Sequence, residues 1–207
     1  MLVMAPGAGW IEVVCGPMFS GKTEELLRRL RRARIARLPV QVFKPAIDDR
    51  YHAERIVSHS ALSMAAEPVA DSRTLAASVR PETRVVGIDE VQFFDEGIVA
   101  VCEQLAAGGV RVVVAGLDQD YTGRPFGPVP TLLAVAESIT KTLAICARCG
   151  APAGRSQRLA GGDDQVQVGA TQAYEPRCRR CHVPRVEPVP ADLRFEPAAD
   201  PGQASGT

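Results

Sequence analysis

GPMFSGKT, residues Gly16–Thr23, is the stretch that decides how this chain folds. It fits the pattern G-x-x-x-x-G-K-S/T at every specified position. It follows Trp10–Cys15 (WIEVVC), a short β-branched run typical of a buried strand. The glycines allow backbone N–H groups to wrap phosphate oxygens, and a helix that starts there adds its partial positive charge. The stretch therefore predicts a strand, a loop that binds a purine nucleoside triphosphate, and a helix. The alternative is a glycine-rich turn that fits the pattern by chance.

The loop residues have distinct expected roles toward ATP and Mg²⁺. We expect Lys22 to reach the β- and γ-phosphates and the Thr23 hydroxyl to bind Mg²⁺. The other positions supply backbone groups around the phosphates. The predicted ATP-binding residues of the loop are Gly16, Pro17, Met18, Phe19, Ser20, Gly21, Lys22 and Thr23.

Strands and helices alternate on either side of this loop over residues 1–145. Apolar β-branched runs predict the strands, and apolar residues at helical spacing predict the helices. Ala46–Pro68 is polar and weakly patterned, which predicts a loop with a short strand around Ile56–Ser58. The alternation indicates a P-loop (RecA-like) α/β fold, a parallel sheet with helices on both faces. The other predicted strands are Trp10–Cys15, Val40–Phe43, Arg84–Ile88, Arg111–Gly116 and Ser138–Ile145, and the predicted helices are Glu24–Leu38, Leu75–Val79, Gly97–Ala107 and Thr131–Glu137.

Composition and charge bound the class of protein. Hydrophobic residues make up 46% and charged residues 23%, an ordinary balance for a globular domain with a sizeable core. Lys plus Arg equals Asp plus Glu at 24 each, so no basic field favours nucleic acid as a partner. No stretch approaches the roughly 20 apolar residues of a membrane helix, and no signal-peptide pattern opens the chain. We expect a cytoplasmic protein with no membrane and no nucleic-acid partner.

The composition changes at Cys146, where Gly, Pro, Arg and Gln replace most of the apolar residues. We predict three parts: a nucleotide-binding α/β domain at 1–145, a small zinc-ribbon domain at 146–190, and a tail at 191–207. The tail is rich in Pro, Ala and Gly, a composition typical of disorder.

Two carboxylates follow the strand Arg84–Ile88. A P-loop enzyme needs an acidic residue at the end of a neighbouring core strand to hold Mg²⁺, and Asp89 supplies it. Glu90 is expected to face the acceptor substrate, where it can take a proton from an attacking hydroxyl or orient a water. The alternative is a helix-capping Asp followed by a solvated Glu. Together with the loop, the pair indicates phosphoryl transfer or nucleotide hydrolysis.

Four of the six cysteines form two Cys-x-x-Cys pairs, Cys146/Cys149 and Cys178/Cys181. Two such pairs can form the tetrahedral thiolate cage of a structural Zn²⁺, with no position left open for chemistry. Two disulfides are the alternative, which a reducing cytosol disfavours. His182 could replace a ligand, but the four cysteines already complete the set. Cys15 and Cys102 are interpreted as small buried hydrophobes.

Five segments, in order, resemble the type II thymidine kinases. The phosphate loop of that family contains MFSGKT followed by E-L, as in Gly16–Leu27 here. The similarity runs from about Trp10 to Val186. The other segments are Asp89–Phe93 (DEVQF), Gly116–Phe126 (GLDQDYTGRPF), the two Cys-x-x-Cys pairs, and Tyr174-Glu175 ahead of Cys178.

The resemblance implies transfer of the ATP γ-phosphate to the 5′-hydroxyl of thymidine or deoxyuridine, in pyrimidine deoxynucleotide salvage for DNA synthesis. By position, Glu90 corresponds to the general base and Arg50 to an arginine that neutralises the transferred phosphoryl group. The segment between the cysteine pairs, Gly150–Arg177, corresponds to a lasso that closes over the nucleoside. The implied nucleoside contacts are Met18, Phe93, Leu117, Tyr121, Phe126, Val166, Gln167, Val168, Gly169 and Tyr174.

This sequence departs from the family at two positions. Gly169-Ala170 stands where many members have Gly-Gly, and Tyr121 stands where others have Phe, which adds a hydroxyl that needs a partner if buried. Without the resemblance, Phe93 and Tyr121 fit ordinary core packing and Arg50 fits a surface arginine.

The resemblance also implies a homotetramer and feedback inhibition by thymidine triphosphate (dTTP). Two other functions compete with the kinase interpretation. One is a P-loop ATPase whose zinc ribbon contacts nucleic acid, with the arginines around Cys178 and Cys181 in support. The other is a nucleotide-binding regulator without turnover.

Overall fold

The computed structural model describes residues 7–46, 55–57, 63–159 and 173–183. Six parallel strands form the central sheet: β1 (Trp10–Cys15), β2 (Val40–Pro45), β5 (Glu67–Val69), β6 (Val85–Ile88), β7 (Arg111–Gly116) and β8 (Ser138–Lys141), in the order β5-β2-β6-β7-β1-β8. The described helices are α1 (Lys22–Ile35), α2 (Ser72–Ser78), α3 (Gly97–Ala107) and α4 (Val129–Val135), with a 3₁₀ turn at Val91–Phe93.

Helices cover both faces of the sheet, as the alternation predicted. Successive strand residues point to opposite faces, so Val13 packs in the cluster under α2, α3 and α4, and Val14 packs in the cluster under α1. Helix α1 lies very close to β6. A Cβ added at Gly87 would lie 2.5 Å from a methyl carbon of Leu30, so the absence of a side chain at Gly87 makes room for the helix. The predicted parallel α/β fold is confirmed.

Glu12 on β1 carries a buried charge cluster beneath α1. Its carboxylate accepts from Arg29 at 2.7 Å and from Arg111 at 2.7 Å, and the Trp10 indole N–H donates to it at 2.6 Å. Burial opposes the charged form, but these donors and the two positive charges outweigh it and lower the pKa of Glu12. The cluster therefore ties β1, β7 and α1 together.

Several element bounds differ from the predictions. Helix α1 begins at Lys22, two residues earlier than predicted, because the backbone turns into the helix directly after Gly21. Strand β3 (Arg55–Val57) lies close to the short strand predicted around Ile56–Ser58, but the same segment also contains its antiparallel partner β4 (Ser63–Ala65) and the start of β5, which were predicted as loop. Strand β5 contains Pro68, which is tolerated because β5 is an edge strand.

The single strand predicted for Ser138–Ile145 is two strands. Strand β8 ends at Lys141, opposite the last residue of β1, and the Thr142 backbone N–H closes the ladder by donating to the Cys15 carbonyl at 2.8 Å. Strand β9 (Ala144–Ile145) then pairs antiparallel with β10 (Pro152–Ala153), and β11 (Arg155–Arg158) pairs antiparallel with β12 (Tyr174–Arg177). The predicted division at residues 145 and 190 stays a prediction. No helix in the described ranges is long and apolar enough to span a bilayer.

Candidate active site

The phosphate loop connects β1 to α1 through a tightly packed bend. Gly16 has φ +144°, and a Cβ there would lie 2.3 Å from the Thr142 carbonyl oxygen, so only glycine fits. The Ser20 hydroxyl donates to the Pro17 carbonyl at 2.8 Å and lies 2.8 Å from the Thr142 hydroxyl. The end of β8 therefore supports the loop from outside.

Lys22 is folded back into the loop. Its ammonium donates to the Pro17 carbonyl at 2.8 Å, and the side chain is buried. Burial lowers the pKa of Lys22, while the nearby carboxylates of Glu90, Asp89 and Asp118 act in the opposite direction. A buried ammonium in a loop at the start of a helix suits a highly charged phosphate ligand.

Asp89 lies at the carboxyl end of β6 beside the start of α1. The Thr23 hydroxyl donates to Asp89 Oδ1 at 3.4 Å, and Asp89 is only 5% exposed. Burial, with the charge of Glu90 added, raises the pKa of Asp89 to about 7. A buried carboxylate beside a hydroxyl is a hard oxygen donor set of the kind that Mg²⁺ prefers, so these residues fit the predicted cation.

Glu90 follows in a left-handed backbone conformation, φ +50°, which bends the chain out of the strand into the 3₁₀ turn. Its backbone N–H donates to Asp89 Oδ1 at 3.1 Å, so one carboxylate fixes the start of the bend. Glu90 Oε2 accepts from the side-chain amide of Gln92 at 2.5 Å. Asp89 and Glu90 therefore lie at the carboxyl end of the sheet, close to Lys22.

The loop that follows β7, residues 117–128, is named the aromatic loop, and it packs aromatic residues near this end of the sheet. Phe93 and Phe126 meet edge to face with ring centroids 5.8 Å apart. Tyr121 and Phe126 are each more than nine-tenths buried, and the Leu117 N–H donates to Gln92 Oε1 at 3.0 Å. Four of the predicted nucleoside contacts therefore lie on one loop or its neighbouring turn.

Strand β11 lies against both the phosphate loop and this aromatic loop. The Met18 N–H donates to the Ser156 hydroxyl at 3.0 Å. The Arg158 guanidinium stacks 3.8 Å from the Tyr121 ring centroid and donates twice to the Tyr174 hydroxyl, at 3.0 and 2.6 Å. A buried arginine therefore joins two of the predicted nucleoside contacts.

The four paired cysteines come together in space. Their Sγ atoms all lie within 4.8 Å of one another, and Cys149 Sγ lies 3.6 Å from Cys178 Sγ. That separation is far beyond the roughly 2.05 Å of a disulfide, and it suits thiolates around one tetrahedral ion. All four are free cysteines, so the predicted donor set fits Zn²⁺.

Comparison with known proteins identifies the family of this chain. A family model described as thymidine kinase matches residues 9–182. The chain belongs to the thymidine kinase family. A thymidine kinase from Bdellovibrio bacteriovorus is 53% identical over 188 residues, covering 91% of this chain and 92% of that protein. A thymidine kinase from Rhodothermus sp. is 58% identical over 176 residues, covering 85% and 82%.

Membership in the thymidine kinase family confirms that the chain is an enzyme, a kinase, as the motifs predicted. Among solved structures, the flagellar accessory protein FlaH from Methanocaldococcus jannaschii aligns with a TM-score of 0.45 at 11% identity. That alignment covers 82% of this chain and 87% of that one. A likeness of that size carries no argument about function.

Several predicted site residues of this thymidine kinase family member lie outside the described residues. They are Arg50 and the lasso residues Val166, Gln167, Val168 and Gly169. Their assignments stay predictions.

Gln92, Ser156 and Arg158 also belong to this site, although the sequence did not predict them. Gln92 is 2% exposed although it is polar, and its place inside DEVQF was the available signal. Ser156 and Arg158 had no local signal, because their partners lie far away in the chain.

Proposed function

We propose that the protein transfers the γ-phosphate of ATP to the 5′-hydroxyl of thymidine or deoxyuridine. The observation that carries this proposal is that Lys22, Asp89 and Glu90 lie close together at the carboxyl end of the sheet. The Thr23 hydroxyl lies 3.4 Å from Asp89 Oδ1. A triphosphate-binding loop, a hard-cation donor pair and a second carboxylate are the parts that phosphoryl transfer to a hydroxyl requires.

In the proposed reaction, the 5′-oxygen of the nucleoside forms a bond to the γ-phosphorus as the bond to the β-phosphate oxygen breaks. Glu90 takes the proton from the 5′-hydroxyl, and ADP leaves with the electron pair of the broken bond. Lys22 and Arg50 hold the phosphates, and the loop amides orient them. Thr23 and Asp89 would hold Mg²⁺, which would neutralise charge on the β- and γ-phosphates.

The nucleoside is proposed to lie against Met18 and the aromatic loop, under the lasso Gly150–Arg177. The Met18 N–H contact to Ser156 and the Arg158 contacts to Tyr121 and Tyr174 support this place, because they hold the lasso strands beside the phosphate loop. Val166–Gly169 are proposed to contact the pyrimidine through backbone groups. Closure of the lasso would keep out water, which would otherwise accept the phosphoryl group.

The cysteine cluster is proposed to hold a structural Zn²⁺ that orders the zinc-ribbon part of the chain, residues 146–190. Four further proposals rest on family membership alone. They are homotetramer formation, inhibition by dTTP, a cytoplasmic location, and a role in pyrimidine salvage for DNA synthesis.

The direct test supplies the purified protein with Mg·ATP and each natural deoxynucleoside, and measures nucleoside monophosphate. We expect product from thymidine and deoxyuridine and little ATP hydrolysis when no nucleoside is added. Absence of product from thymidine would refute the proposal. Salt-sensitive nucleic-acid binding with ATP hydrolysis would favour the ATPase alternative instead.

The role of Glu90 is tested with Glu90→Gln, which keeps the shape of the side chain and removes the proton acceptor. We expect ATP binding to persist and kcat to fall by about 10²–10⁴-fold, the usual contribution of a general base. Glu96→Gln, at an exposed position in the same segment, is the matched control and should retain full turnover. Near-normal turnover in Glu90→Gln would remove Glu90 from this role.

A further inference from the structure

Gln92 is a buried polar side chain whose two ends both bond to residues of the proposed site. It is 2% exposed. Its Nε2 donates to Glu90 Oε2 at 2.5 Å, and its Oε1 accepts from the Leu117 backbone N–H at 3.0 Å. A buried amide costs free energy unless both ends are satisfied, and here both are.

The orientation of this amide follows from its partners. A backbone N–H can only donate, so the atom facing Leu117 must be the amide oxygen. The NH₂ group must then face Glu90, whose carboxylate oxygen accepts from it. The side chain therefore has one arrangement, in which it presents a donor to the carboxylate.

The surrounding backbone leaves little room for any other arrangement. A Cβ at Gly116 would lie 2.7 Å from Gln92 Oε1 and 2.8 Å from a methyl of Val91. A Cβ at Gly127, where φ is +49°, would lie 2.5 Å from the Gln92 carbonyl oxygen. The Gly116 backbone thus lies close against the side-chain amide of Gln92, and the Gly127 backbone lies close against the main chain of the same residue, so both parts of Gln92 are held in place.

We propose that Gln92 is a positioning residue for phosphoryl transfer, a role that rests on the proposed role of Glu90 as the base. Its NH₂ group fixes one carboxylate oxygen, Oε2, and so leaves Oε1 to take the proton from the nucleoside hydroxyl. Its oxygen fixes the first residue of the aromatic loop, Leu117. One side chain thus sets the distance between the proton acceptor and the wall of the nucleoside pocket.

The two bonds can be separated by substitution. Gln92→Glu keeps an oxygen for the Leu117 N–H but puts a second carboxyl group against Glu90, so that the two carboxyl groups share one proton and Glu90 is no longer free to accept another. We expect kcat to fall about 10- to 100-fold, with the KM for thymidine changed less than about threefold. The reason is that a disturbed proton acceptor destabilises the transition state but leaves nucleoside binding nearly unchanged. Gln92→Met removes both bonds, and we expect it to lower kcat by at least as much and also to raise the KM for thymidine.

A double-mutant cycle distinguishes positioning from general structural support. In the Glu90→Gln background there is no base left to aim, so adding Gln92→Glu should change kcat by less than about twofold. A further loss equal to that seen in the wild-type background would mean that Gln92 acts independently of Glu90, and would overturn the inference. Thermal melting of each variant identifies any that fail to fold.

If Gln92→Glu does not fold, Gly116→Ala displaces the same amide by crowding its Oε1 atom, and it should lower kcat and also raise the KM for thymidine, because the Leu117 bond is disturbed as well. Normal kcat in a folded Gln92 variant, together with an inactive Glu90→Gln, would refute the inference and leave the proposed function intact. Normal kcat in Glu90→Gln would instead refute the base assignment. The two failures are therefore distinguishable.

Discussion

His182 Nε2 lies 3.0 Å from the backbone carbonyl oxygen of Tyr121, which joins the second cysteine pair to the aromatic loop. A carbonyl only accepts, so Nε2 carries the hydrogen. Burial lowers the pKa of His182, which keeps the ring neutral. The backbone N–H of the same residue donates to the Cys178 carbonyl at 3.0 Å. The histidine therefore links the two regions and does not complete the metal donor set.

The first prediction concerns this link. His182→Leu removes the donor to Tyr121, and we expect the KM for thymidine to rise roughly fivefold, the effect of one lost hydrogen bond of about 1 kcal/mol. The KM for ATP and the zinc content should not change. His182→Gln can still donate from its side-chain amide and should lie near the wild type. Loss of zinc in His182→Leu would contradict the assignment by making the histidine a ligand.

The second prediction concerns Arg158, which is 4% exposed between Tyr121 and Tyr174. Arg158→Lys keeps the charge but loses the planar stack and the double donation to the Tyr174 hydroxyl. We expect kcat/KM for thymidine to fall roughly 5- to 100-fold, the equivalent of about 1–3 kcal/mol. Steady-state kinetics with each substrate varied in turn measures the effect.

The matched control for that experiment is Arg155→Lys, three residues earlier on the same strand, where the side chain points to the opposite face. Arg155 donates to Gln119 at 2.9 Å and, within the described residues, makes no ring stack or hydrogen bond with either tyrosine, so a smaller effect is expected. Equal effects of the two substitutions would show that Arg158 supports the strand rather than the nucleoside site.

The sequence predicted best where a pattern is local. The helix at Gly97–Ala107 and the strand at Arg111–Gly116 have the bounds that were predicted. The hydrophobic periodicity lies within each element, and the Gly108-Gly109 stop lies directly between them. The phosphate loop was visible because its glycines and Lys22 are consecutive in the chain.

The sequence predicted poorly where a distant partner decides the structure. The strand predicted for Ser138–Ile145 ends at Lys141, where its partner β1 also ends, and Ala144–Ile145 pairs instead with Pro152–Ala153. Gln92 acquires its role from Leu117, 25 positions away, and from Glu90 beside it. No local pattern records such contacts, so a residue such as Arg158 becomes visible only when the strands are placed.

The third prediction is a pH dependence of stability at Glu25, in the first turn of α1. Hydrogen bonds from Arg28 lower the pKa of Glu25 to about 2; burial opposes this, and Arg29 adds to it. Because the folded pKa lies below the ordinary value of 4.5, the stabilisation is complete above about pH 4.5 and is lost as the pH falls toward 2.

Glu25→Gln should therefore lower the free energy of unfolding by about 0.5–1 kcal/mol at pH 6, a size set by solvent screening of a partly exposed pair. The difference from wild type should shrink between pH 4.5 and pH 2. Urea unfolding at several pH values measures it, since urea adds no salt. Glu24→Gln, in the same turn, is the control, and an equal pH-dependent difference for it would contradict the assignment.

The last prediction concerns the cysteine cluster and zinc. Side-chain contacts with Cys149 and Cys178 raise the pKa of Cys181 to about 12, so four thiolates do not coexist here without a cation to neutralise them. We expect about one zinc per chain by elemental analysis. Cys178→Ser should remove most of it and lower the melting temperature, because the ion orders strands that bury few apolar side chains. Cys102→Ala changes a buried thiol in the main core and should keep the zinc while losing some stability. Zinc at wild-type level in Cys178→Ser, or its absence from the wild-type protein, would refute the site.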